Sequence, residues 1–393
     1  MKDSKVLKTA RNKLALAVAC TGLAISSAQA ETTFDYGGYI KLDAIFSQYS
    51  DQQRAGNVGD DFVVPSTIAV GDGSAEGDTV FDSNSKFSRL NFKTTTDTDV
   101  GKVVGFIEMD FNAGNDERLT NQSSNGLRHA FFKWQKKDGS ELLAGQTWST
   151  FFNVGALPEA VDFVGPTSGA VFVRQSQLRY TSPMGSGKLM LAAENPSVSL
   201  YDAGSGYDNN QVDDSGIPDL VARYDGKAGD LSYAAAVMGR QIAYNDGTND
   251  DSKIGYGVSF SGKYVLGNGD DIKFMASQGH LGRYMALNAF RDGSVDADGD
   301  IELISALGGY VAYRHLWSDK LRSTISYAYG TADNPDEVVA DVTKTISNTN
   351  VNLMYSPTKK LTFGAEYILA ERETESGADG DLNRLQFTSK WAF

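Results

Sequence analysis

Cysteine is almost missing from this chain: the single one, Cys20, lies within the first thirty residues. A disulfide scaffold is therefore excluded. No apolar run approaches the length of about 20 residues that a spanning helix needs. Histidine is scarce too. His129, His280 and His315 show no metal-type spacing, and no nucleophile with an adjacent base accompanies them, so neither enzyme chemistry nor a cofactor is expected. Basic residues are outnumbered 36 to 50 by acidic ones, which argues against a nucleic-acid partner. Proline is sparse, at 8 residues, while 41 glycines and 38 tyrosines and phenylalanines give poor support to a helical fold.

The first thirty residues read as a leader. Lys2, Lys5, Lys8, Arg11 and Lys13 precede the apolar stretch LALAVACTGLAI, and SSAQA then supplies an A-x-A site for cleavage after Ala30. Residues 1–30 are thus expected to be a signal peptide and residues 31–393 one domain. Five basic residues and one acid would leave with the leader, taking the formal charge from -14 to -18. An exported chain without disulfides or spanning helices is either a soluble β-protein or a barrel whose membrane signal is spread over alternating strands.

What is present is alternation with a period of two. In YIKLDAIF, Ile40, Leu42, Ala44 and Phe46 share one face, and Lys41 and Asp43 the other. KIGYGVSFSGKY, LRSTISYAY and LTFGAEYILA repeat the pattern. Sixteen such ladders fall between residues 34 and 393, with the first at 34–48 and the last at 381–393. Short turns such as KKDG, PMGSG and SPTKK alternate with long acidic, glycine-rich connections such as 49–82, 196–215 and 281–300. That division predicts an all-β fold: a 16-stranded antiparallel transmembrane β-barrel with lipid outside and water inside. Tyr180, Tyr224, Tyr264, Trp317, Tyr355, Trp391 and Phe393, at ladder ends near the short turns, would form an interfacial girdle. A soluble β-sandwich, or a barrel enzyme or adhesin without a channel, is the competing class.

With the apolar face outward, Lys41, Arg89, Lys93, Arg179, Arg223, Arg240, Lys263, Arg314, Arg322 and Arg384 fall on the water-filled side. Asp43 and Glu366 are among the few acids there. A basic wall lowers the barrier for anions, because guanidinium forks replace part of a carboxylate's lost hydration. Arg174 has the parity of the outward Leu178 and Tyr180, so its placement is left open. The long segment 149–170 reads as folded into the barrel, with Glu159 and Asp162 facing the arginines across a narrow waist. DADGDIE places Asp296, Asp298 and Asp300 at alternate positions, a weak metal candidate that a solvated acidic loop explains as well.

The end of the chain, LQFTSKWAF, resembles the assembly signal of bacterial outer-membrane proteins, with Leu385, Phe387, Trp391 and Phe393 matching and Ser389 departing. FSRLNFKTTT, KVVGFIEMDF, LLAGQTWSTFF and RQSQLRYTSP resemble strands of trimeric porins, with Arg89 matching a pore-wall arginine of those proteins. GGYIKLD, AGQTWSTFFNVGALPEAVDFVGPTSG and NLMYSPTKKLTFGAEYILAERE are most similar to the DcaP-like porins. The resemblance implies a passive Gram-negative outer-membrane channel with an inward-folded constriction loop and a preference for small anions such as dicarboxylates. A non-selective general porin is the alternative. It also implies a homotrimer, contact with outer-membrane lipid and lipopolysaccharide, and recognition of Phe393 by the barrel-assembly machinery. Gln146 stands where many general porins carry an arginine just before the loop.

Overall fold

The structure, a computed structural model, describes residues 31–51, 58–116, 120, 122–202, 207–212, 214–248, 250–336, 338 and 341–393. The leader and its cleavage site therefore lie outside the described residues. Among the described residues no helix is long and apolar enough to cross a membrane. Strands do so instead.

Sixteen antiparallel strands close into a barrel: β1 (Thr32–Tyr49), β2 (Thr79–Asn84 and Arg89–Thr98), β3 (Gly101–Asp110), β4 (Gly126–Gln135), β5 (Glu141–Trp148), β6 (Arg174–Met184), β7 (Gly187–Glu194) and β8 (Asp219–Ala228), then β9 (Leu231–Asn245), β10 (Asp250–Val265), β11 (Asp271–Gly279), β12 (Ser305–Leu316), β13 (Leu321–Asp333), β14 (Thr343–Thr358), β15 (Leu361–Thr374) and β16 (Asp379–Ala392). Both halves of the interrupted β2 pair with β1. β1 also pairs with β16 over an unbroken register from Tyr39↔Ala392 to Tyr49↔Leu382, which closes the sheet.

Each ladder falls on the expected strand to within a few residues, because alternation is enforced by two solvents at once. On β10, Ile254, Tyr256, Val258 and Phe260 are 44–70 % exposed on the outside, while Ser259 and Ser261 are buried within. The girdle aromatics Tyr180, Tyr264, Trp317, Tyr355, Trp391 and Phe393 are likewise exposed at the short-turn end.

The long connections do not all remain outside, as their acidity suggested. Residues 149–173, 281–304 and 58–70 turn inward, and the largest apolar cluster sits inside the barrel, with Phe151, Phe152, Tyr284, Met285 and Phe290 at its centre. The first two segments hold each other: Phe172 N–H donates to Tyr284 O at 3.0 Å and Ala286 N–H to Ala170 O at 2.9 Å. Glycines let loop backbone lie on wall backbone. A Cβ on Gly169 would meet Gly309 O at 1.9 Å, and one on Gly330 would meet Ser168 O at 2.4 Å. Above them, Val198–Asp202, Tyr207–Val212, Gly293–Val295 and Ile301–Leu303 form a separate four-stranded sheet at the long-loop end.

Candidate functional site: the constricted pore

The constriction loop follows the inner wall, and wall side chains grip it along the way. Arg223 donates to Phe152 O at 2.7 Å, Asn153 to Ser261 Oγ at 3.0 Å, and Lys273 to Leu157 O at 2.6 Å. Arg322 then takes Glu159 with both Nε and Nη2, each at 2.6 Å. Burial alone would push the Glu159 carboxyl up, but the Arg322 hydrogen bond and charge outweigh it and hold the group below the ordinary carboxylate range. Lys41 donates to Val161 O at 2.9 Å and pairs with the buried Asp43 at 3.0 Å.

The loop tip rests on carboxylates. Glu366 accepts from Val161 N and Asp162 N, both at 3.0 Å, and from Asn350 and Asn352 at 3.2 and 2.9 Å. Asp162 accepts from Val63 N at 3.0 Å, Val164 N at 3.0 Å and Gly165 N at 3.1 Å. The expectation that Asp162 faces the arginines is thus corrected: only Glu159 does. Nor does Glu366 offer charge to the water path, since it is 1 % exposed beneath the loop.

Two of the expected wall arginines are enclosed. Arg384 is 0 % exposed, bonded to Ser47 Oγ at 2.9 Å and to Gly59 O. Arg240 is 1 % exposed, donating to Asp292 at 2.8 Å and Ser197 O at 2.5 Å, 3.6 Å from Asp219 and over the Tyr284 ring at 5.0 Å. They anchor the inward segments 58–70 and 281–304. Lys263 and Arg314 share Asp271, Lys263 at 3.5 Å. Asp296 Oδ1 accepts from Asp298 N and Asp300 N, both at 2.9 Å, and so closes a hairpin turn.

What remains for a solute lies on β1, β2, β4, β6 and β16. Arg89 and Lys390 stand over the Tyr39 ring, each at 5.4 Å. Lys93 is exposed on the same face as Arg89, and Arg179 is half-buried with its Nε unbonded. Arg174, whose parity left it open, stacks over Trp148 at 5.0 Å, so the loop-to-strand join carries it into the pore. Trp148, Phe172 and Phe163 continue as an apolar wall, with ring centroids 4.7 and 5.6 Å apart.

Arg128 was missed. A bulge pairs Glu108 with His129 but Met109 with Leu127, so Arg128 is extra and both Arg128 and His129 point inward. Arg128 bonds Glu108 at 3.0 Å and Asp110 at 2.7 Å and lies over Phe163 at 5.4 Å. Two adjacent polar residues between Leu127 and Ala130, both outward, are the sequence sign of it. Gln146, which stands where many general porins carry an arginine, lies on the outer face of the wall, opposite Ala130 and Ser176.

The family model of the DcaP outer membrane protein matches residues 4–393. The chain belongs to this family. Among solved structures, the outer membrane channel DcaP of Acinetobacter baumannii is similar at 24% identity and TM-score 0.76, covering 94% of this chain and 99% of that one. The trimer form of OmpT from Vibrio cholerae is similar at 13% identity and TM-score 0.55, covering 92% and 99%. An anion-selective porin from Comamonas acidovorans is similar at 11% identity and TM-score 0.58, covering 92% and 100%. No curated protein matches the chain. As a DcaP-family member the chain is an integral outer-membrane porin channel of a Gram-negative bacterium and not an enzyme.

Proposed function

We propose that this porin passes small anions, carboxylates and dicarboxylates among them, in preference to cations, and that it works as a homotrimer. The observation that carries the anion reading is the disposition of charge beside the constriction loop. Most wall cations hold the loop, but Arg89 and Arg174 stand half-buried beside Glu108 and Asp110, two carboxylates that the enclosed Arg128 already bonds, with Lys390 sharing the Tyr39 ring with Arg89. A carboxylate meets guanidinium forks next to an apolar ring wall, so part of its hydration is replaced while the low-dielectric wall strengthens the attraction. Reversal potentials of the reconstituted channel in a salt gradient test this. The wild type should be anion-selective. Arg174→Ala, which removes one unit charge worth about 1 kcal/mol at such a site, should reduce the anion-to-cation permeability ratio about fivefold. A cation-selective wild type would overturn the reading.

The trimer is supported by the outer surface. On β9 to β15 it is bulky, as in Val237, Phe260, Tyr313, Tyr327, Leu353 and Tyr367. On β2 to β6 and β16 the outward register instead includes small or polar residues: Thr94, Gly105, Ala130, Ala144, Ser176 and Ser389. Such a face permits close approach of a second wall. Ala144→Trp should convert the trimer to monomer in unheated gel electrophoresis while the barrel stays heat-modifiable. An unaltered trimer band would place the interface elsewhere.

A further inference from the structure

We infer that Gln146, on the outer surface of the wall, is the positioning residue that holds Arg128 in the pore. The bulge in β4 leaves the backbone around Leu127 and Arg128 out of step with its neighbours. Carbonyls freed from the ladder in this way need another donor, since neither lipid nor a packed subunit face supplies water to the outside of the wall. Gln146 supplies it: Nε2 donates to Leu127 O at 3.0 Å and lies 3.4 Å from Arg128 O. No other side chain of the described residues donates to these two carbonyls. Gln146 lies opposite Ala130 and Ser176, within the face proposed above for the subunit contact, and its amide is turned back onto these carbonyls of its own wall. Inside the wall, the extra residue makes Arg128 and His129 share the inward face, with Arg128 1 % exposed between Glu108 and Asp110.

The consequence concerns the sign of the site, and this part rests on the anion reading above. Three guanidinium groups face two carboxylates while the bulge is in place. If the bulge relaxed into regular pairing, Arg128 would turn to the outer face, and Glu108 and Asp110 would be left to neutralise Arg89 and Arg174. A residue that never touches the solute thus decides whether this stretch of the wall is basic.

Two measurements separate the positioning from the selectivity. The first uses Arg128→Cys in a Cys20→Ser background, treated with a charged, membrane-impermeant methanethiosulfonate during single-channel recording. Conductance should change on modification, and adding Gln146→Leu or Gln146→Met should abolish that change. Both variants must remain heat-modifiable trimers on gels, and two hydrophobic replacements guard against one of them misfolding. Unaltered modification in the double variants, or no modification in Arg128→Cys alone, would overturn the positioning role whatever the ion preference. The second is the reversal potential. Gln146→Leu and Arg128→Met should each reduce the anion-to-cation ratio by a similar factor, about threefold, and the pair together should go no further. Additive effects would mean the two residues act separately. A wild type without anion preference would sink the anion reading while the cysteine experiment still judged the positioning.

Discussion

Glu366→Leu should release the tip of the constriction loop and give a channel of higher and noisier conductance. The side chain is of similar size, so the wall is not perforated; what disappears is the acceptor for four donors. Two are loop amides, Val161 and Asp162, and two are the wall side chains of Asn350 and Asn352. Each buried donor left without a partner costs about 1–3 kcal/mol, so a closed loop becomes a poor competitor to one that swings into the pore water and rehydrates. Single-channel recording reads the consequence directly, and trypsin sensitivity of the loop provides a second view. If conductance and noise match the wild type, the tip is held by the remaining contacts, chiefly Arg322 with Glu159 and Lys41 with Val161 O, and the carboxylate platform is dispensable. Glu366→Gln sharpens the result. It keeps one oxygen acceptor but brings an N–H2 against existing donors, so it should fall between the two.

Arg240→Met should destabilise the barrel more than any exposed substitution. Its guanidinium lies between Asp219 and Asp292, all three side chains sealed from solvent, with Tyr284 OH donating to Asp219 at 2.7 Å. Removing the cation leaves two carboxylates facing each other in a dry site, a change that costs about 3–5 kcal/mol where it has been measured for buried pairs. The loss should appear as a lower urea midpoint and a lower temperature for the gel shift from folded to unfolded mobility. Arg240→Met combined with Asp219→Asn and Asp292→Asn should recover much of it, since the uncompensated charge is then gone. A single variant as stable as wild type would mean that the site takes up water or protons instead.

The two effects also mark where the sequence stopped being readable. The barrel was legible from residues alone, because a strand with lipid on one side and water on the other must alternate, and sixteen ladders did. Arg89, Arg179 and Arg322 could be singled out for the same reason. Their roles could not. Whether a wall arginine meets a solute or a loop carbonyl depends on the path of residues 149–173, and a path through water leaves no period in the sequence. Segments 58–70 and 281–304 fall in connections whose length, acids and glycines read as long loops on one side of the barrel. Phe62, Val63, Leu281, Met285 and Phe290 are dispersed among those acids, and only the folded chain gathers them into interior clusters. Arg128 was hidden by a different cause: one inserted residue resets parity, and a rule of two loses its footing at that point.

The charge pattern changes meaning accordingly. The wall is basic, as alternation suggested, yet much of that charge is structural. Arg223, Arg240, Lys273, Arg322, Arg372 and Arg384 all donate to loop backbone or loop carboxylates. Counting cations on the wall therefore overstates the selectivity filter and understates the scaffold that keeps it narrow.

The seam between β1 and β16 sets a timetable for assembly. Tyr39 must find Ala392 and Tyr49 must find Leu382, so the pairing that abolishes the sheet's edges joins the most distant parts of the chain. All other neighbours in the wall are successive hairpins whose closure entropy is modest. An open, curled sheet of hairpins can therefore form early, with both edges still able to bond to something else. Closure comes last and is the slowest search in the molecule. Until it occurs, the oily outward row at Phe387 and Trp391 lies at a bare edge, a species that would pair with another chain if nothing occupied it.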